Sequence, residues 1–144
     1  MIYTQGSLGR VFILKFEDKD DLLSEIKNLA KHEAIKAGTI MLLGGMRSAG
    51  IVSGPKEPII PPEPIWLNFE DGREVVGLGT LFWKDGEPVI HIHSAVGRGK
   101  ETFVGCLRKD SSVFLVVEAV ITEILGVAAR KIEDKKTGLV ILDL

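Results

Sequence analysis

The sequence predicts an α+β fold: a curved, mostly antiparallel β-sheet of seven or eight strands with one main helix packed on it. Three observations predict it. Most apolar segments alternate with period two and are rich in Val and Ile, as half-buried strands are. One stretch only, near the N-terminus, spaces its apolar residues by three and four over several turns. Turn dipeptides then separate the later strands at hairpin intervals, and hairpins build antiparallel sheets.

The elements follow in order. "GRVFILKFE" puts Val11, Ile13 and Lys15 on one side and Phe12, Leu14 and Phe16 on the other, a first strand. In "DLLSEIKNLAKHEAIKAG" the stripe is Leu22, Leu23, Ile26, Leu29, Ala30 and Ala34. Asp20 or Asp21 caps this helix, and Gly38 is expected to supply the left-handed residue that ends it. "TIMLLGGMRSAGIVSG" is a strand interrupted at Gly44-Gly45, a pair that reads as a bulge or a close backbone approach. The proline-rich "PKEPIIPPEP" suits neither a helix nor a central strand and is a long loop or an edge segment that resists pairing. Asp71-Gly72 and Asp85-Gly86 mark two hairpin turns, so three strands are expected to run up and down between Ile65 and Gly97. "SVFLVVEAVITEI" favours strand, with Ala119 to Leu125 open to a helical reading, and "KTGLVILDL" is a terminal strand.

The 144 residues suit one domain, 1–144, with a single core. A net charge of −2 brings no general attraction to nucleic acid or an anionic membrane. No apolar run reaches membrane-spanning length, and the N-terminus has no secretory pattern. The single cysteine, Cys106, rules out a disulfide within the chain, and a cytoplasmic location is the expectation.

The chemistry concentrates in "VIHIHSAVG". Residues two apart on a strand share a face, so His91 and His93 present adjacent imidazoles while Ile90, Ile92 and Val96 turn inward. If the chain folds back at "GRGKE", Cys106 of "TFVGCL" comes alongside. Two imidazoles and a thiolate form a zinc-type ligand set with a fourth position free. The plain alternative is a solvent-facing polar row and a small buried thiol. A second cluster is cationic: Arg98, Lys100, Arg108 and Lys109, with Arg47 after the double glycine. Such groups suit an anionic ligand or DNA phosphates.

In this order, the opening "GRVFIL", the "GMRSAG" turn, "EVVGLGT", "HIH" and "VGCL" resemble the PPC (also PCC) domain, the plants-and-prokaryotes domain, over roughly Gly9 to Ile124. The resemblance implies a compact α+β domain assembled as a homotrimer. It also implies a three-ligand metal site in which His91 and His93 match two family histidines and Cys106 stands where the third would be. The basic AT-hook arm that contacts DNA in plant relatives has no counterpart in this chain.

Three functions therefore compete. The first is a homotrimeric binding module with a divalent-metal site, Zn2+ on His91, His93 and Cys106. The second is a DNA-binding protein acting through the basic cluster on the trimer. The third is a zinc-dependent hydrolase or deaminase of a small molecule, with Glu74, Glu101 or Glu118 as the acid/base if the fold brings one there.

Overall fold

Two long strands carry the fold. β2 (Ala37–Pro55) and β6 (Glu101–Leu125) pair antiparallel along most of their length. In the computed structural model, which describes residues 1–144, they are joined by β1 (Ser7–Glu17), α1 (Leu22–His32), β3 (Pro64–Phe69), β4 (Arg73–Lys84), β5 (Glu87–Arg98), β7 (Arg130–Asp134) and β8 (Leu139–Asp143). The result is one helix on a curved, antiparallel six-stranded sheet plus a two-stranded β7–β8 sheet, the α+β class the sequence predicts.

The outer edge of each long strand is shared. β4 pairs with the first half of β2 and β3 with the second; β1 pairs with the last part of β6 and β5 with the first. Because β4 and β5 also pair with each other, β2, β4, β5 and β6 close into a ring. Closure needs the ribbon to bend, and the bend comes at Gly44. Its φ is +139°, and a Cβ there would lie 2.3 Å from the Val116 carbonyl oxygen. The double glycine is therefore a close approach with a register shift, as its composition suggests.

Two local expectations need correction. β3 and β4 do not form a hairpin across Asp71-Gly72. They lie end to end along β2, Ala49 facing Phe69 and Met46 facing Arg73, so the register slips by only one residue between them. Gly72, at φ +69°, marks a break in one long edge rather than a reversal. Asp85-Gly86 is a true two-residue hairpin turn, with Lys84 opposite Glu87 and positive φ at both turn residues. The helix is capped by Asp21, whose side chain accepts from the Ser24 N–H, but Gly38 does not end it. Ala34 takes the left-handed position at φ +53°, and the Ile35 N–H returns to the Ala30 carbonyl. That turn drives the fully buried Ile35 straight into the core, leaving Gly38 free to lie in β2. Ala119 to Leu125 is strand, paired with both β1 and β2.

The core lies between helix and sheet. Leu22, Ile26 and Ala30 of α1 are fully buried with Ile40, Ile51, Leu81, Ile92, Val96, Val117 and Ile121. Burying Ile92 and Val96 on the helix side fixes which face of β5 points away.

Candidate metal centre

That outward face carries His91 and His93. Their Nε2 atoms are 3.2 Å apart, with ring centroids at 4.9 Å and planes near perpendicular. The turn at Gly99-Lys100 folds β6 back on β5, and the register carries Cys106 directly opposite His93. Paired residues share a face, so the sulfur arrives on the side of the imidazoles. The ligand atoms of His91, His93 and Cys106 all lie within 4.8 Å of one another.

The donor set fits a zinc-type ion. Nitrogens about 2.0–2.1 Å from a tetrahedral ion are ~3.3 Å apart, and the observed Nε2 separation is 3.2 Å. That separation, which is also a hydrogen-bond distance between the two rings, matches one edge of a zinc tetrahedron, with a buried sulfur beside it. Cys106 is 4% exposed, whereas His93 is open to solvent.

The electrostatics at the three groups are dominated by burial. Burial holds the His91 imidazole below its ordinary pKa, helped by His93, Lys131 and Arg108, so it stays a neutral donor. Burial likewise pushes the Cys106 thiol up, while the charges of Arg108 and Lys131 pull against that rise. Lys131, which sequence reading did not single out, comes from β7 and is only 7% exposed. Its pKa is held down by burial and then by Arg108. No carboxylate joins the His–His–Cys cluster. Glu74 sits opposite Gly97 at the far end of β5, Glu101 faces Arg73, and Glu118 pairs with Leu43 and Lys15.

The cations do not form one patch. Arg98 and Lys100 lie at the β5–β6 turn, whereas Arg108 and Lys109 follow Leu107. Six residue steps separate the Arg98–Glu101 pair from the Ile92–Leu107 pair, about 20 Å along the strands at ~3.3 Å per residue. Arg98 pairs with Asp71, Lys109 with Asp110, and Arg47 with Asp18 while lying over the Phe114 ring. Arg108 instead lines a cleft of about 580 Å³ together with His93, Cys106, Trp66, Val104 and Leu139.

The face that carries the histidines is otherwise apolar. One row crosses the sheet through Ile13, Val120, Met41, Leu78, His93 and Cys106, each residue paired with the next. Ile13, Met41, Leu43, Val76 and Leu78 on it are more than half exposed. Exposed apolar area this contiguous marks a surface that another surface covers.

Comparison with known proteins agrees with this architecture. Residues 3–125 match the profile of the Plants and Prokaryotes Conserved (PCC) domain. A metal-containing protein from Archaeoglobus fulgidus is similar in structure, with a TM-score of 0.86, 26% identity and 98% of each chain covered. A plant- and prokaryote-conserved (PPC) protein from Pyrococcus horikoshii has the same TM-score and identity, covering 100% of this chain and 98% of its own. A Ralstonia eutropha JMP134 protein, provisionally described as DNA-binding, shares the fold at a TM-score of 0.77 and 19% identity, over 92% of this chain and 90% of its own. No curated protein matches the chain.

Proposed function

Because the chain belongs to the Plants and Prokaryotes Conserved domain family, we propose that it works as a homotrimeric binding module, with a divalent-metal site formed by His91, His93 and Cys106. The observation that carries the metal reading is the geometry: three donor atoms within 4.8 Å, two of them at a tetrahedral edge length. The metal-containing relative from Archaeoglobus fulgidus supports it. Zn2+ is the proposed ion, since two imidazoles and a thiolate suit a borderline-soft cation. When bound, such an ion acts as a Lewis acid at its remaining position. The chain's own contribution is to hold both rings on one strand face and to keep the thiol out of bulk water.

The homotrimer reading rests on the apolar row through Met41 and Leu78, which ends at His93, so assembly would cover the sheet up to the edge of the metal site. The DNA-binding and zinc-hydrolase readings each lack an arrangement of this kind: the cations are dispersed, with Arg47, Arg98 and Lys109 ion-paired, and no carboxylate joins the cluster.

The test is metal analysis of protein purified without a polyhistidine tag and reconstituted with Zn2+. One ion per chain is expected, with occupancy lost in His91→Ala/His93→Ala and sharply reduced in Cys106→Ala. Absence of zinc from the reconstituted wild type would overturn the proposal.

A further inference from the structure

A groove of about 550 Å³ runs across the exposed apolar face of the sheet, lined by Ile13, Met41, Leu43, Val76 and Leu78. Glu118 is the one carboxylate on its wall. Its side chain is exposed and has neither an ion pair nor a hydrogen bond within the chain, for the ammonium of Lys15, its cross-strand neighbour, is held by Glu17 at 3.1 Å. Once a second copy covers the groove, Glu118 is a carboxylate taken out of water, which is costly unless a cation meets it.

The same face ends at a centre one ligand short. His91, His93 and Cys106 give three donors, and zinc takes four. Two neutral imidazoles and one thiolate leave a divalent ion with net positive charge, and carboxylate oxygen is among its ordinary ligands. The chain's own Glu118 does not reach it. Glu118 lies opposite Leu43, Leu43 opposite Val76, and Val76 opposite Ala95, the next residue after His93 on that face of β5. Those three strand spacings come to about 14 Å at ~4.8 Å each, beyond the length of a glutamate side chain.

A rotational assembly supplies what one chain lacks. Its contacts are heterologous, so each copy meets one neighbour with one flank of its face and the other neighbour with the opposite flank. Val76 and Leu78, beside Ala95 and His93, form one flank of the groove; Glu118 and Val120 form the other. We propose that Glu118 of the partner subunit enters the fourth position of the ion on His91, His93 and Cys106, so that each metal centre is completed across a boundary between copies. One pairing then removes both imbalances: the covered carboxylate gains a cation and the ion gains its fourth ligand. The inference rests on the metal-site and homotrimer readings.

The experiment measures the Zn2+ affinity of the full-length protein by competition with a chromophoric chelator, with light-scattering mass and circular dichroism recorded on the same samples. Glu118→Gln keeps the shape and removes the charge; Glu118→Ala removes the ligand altogether. Both should fold as wild type and bind zinc at least about tenfold more weakly, since even the hydrogen-bond partners of metal ligands are worth about 10–100-fold in affinity. Glu118→Gln chains are then co-assembled with His91→Ala/His93→Ala chains. Neither variant alone forms a complete centre. In a mixed trimer the histidines of the first stand beside Glu118 of the second, and tight zinc binding should return. Wild-type affinity in both Glu118 variants overturns the inference and leaves the metal site standing. A loss that co-assembly does not restore overturns it equally, because Glu118 then acts within its own chain. Wild type that binds no zinc overturns the metal reading. Wild type that binds zinc tightly as a single chain overturns the homotrimer reading and the inference together.

Discussion

Metal affinity should depend on pH through Cys106, and the size of the effect follows from its surroundings. The thiolate, not the thiol, is the ligand, so binding releases a proton whenever the free protein holds the thiol protonated. Burial raises the folded thiol's pKa above its ordinary value of 9.0. From pH 7.0 to 8.0, below even the ordinary thiol value, Cys106 is therefore mostly protonated in the metal-free protein. Over that unit the apparent affinity rises about tenfold, or ~1.4 kcal/mol. His91 adds nothing to the slope there, because its pKa is held below the ordinary imidazole value and the ring is already neutral. Competition against a chromophoric chelator at a series of pH values measures the slope, and Cys106→Ala is the control. Wild type should show a slope about one unit steeper than the variant. Equal slopes would mean that the thiol takes no part.

Other consequences concern assembly and fold. Gly44→Ala forces a Cβ to within 2.3 Å of the Val116 carbonyl at φ +139°, and should cost about 3 kcal/mol or more in urea unfolding. Gly54→Ala, at φ +138° with nothing within 4 Å, isolates the backbone strain and should cost about 1–3 kcal/mol; equal losses would show that the ring closes without the close approach. Leu78→Asp, placed mid-row on the exposed apolar face, should reduce the light-scattering mass from three chains of 15.7 kDa toward one while the circular dichroism stays unchanged. A mass unaltered by the aspartate would exclude that face from the interface. Glu123 accepts from the Arg10 guanidinium and backbone N–H, which lowers its pKa. The stabilisation is present above the unfolded carboxyl's pKa and fades as pH falls through the lower folded value. Glu123→Gln should therefore flatten the acid limb of the stability profile, and an unchanged limb would remove this pair from the acid response.

Much of the fold could be read from residue order, for reasons that differ by element. Alternation in β5 is legible because one face packs under a helix, so Ile92 and Val96 had to be apolar and the histidines had to face away. The meeting of Cys106 with His93 follows from hairpin arithmetic once the turn is placed at Gly99-Lys100. Asp71-Gly72 misleads because a dipeptide that tolerates positive φ serves a kink as well as a hairpin; which one forms depends on whether β2 offers its edge to both flanking strands. Ala34 in place of Gly38 is a case of tertiary demand, since bringing Ile35 inward outweighs the modest cost of a left-handed alanine. The cation cluster looked compact in sequence and is not, because an extended chain separates neighbours that a helix would gather. Lys131 carries no local signal: its place beside Cys106 is set by where the β7–β8 hairpin comes to rest.

The central claim, a divalent ion on two ring nitrogens of β5 and one sulfur of β6, is tested most directly by X-ray absorption at the zinc edge of the reconstituted protein. One sulfur at ~2.3 Å and two nitrogens at ~2.0–2.1 Å are expected, with the sulfur shell gone in Cys106→Ala. A zinc shell of oxygen and nitrogen alone in the wild type would contradict it.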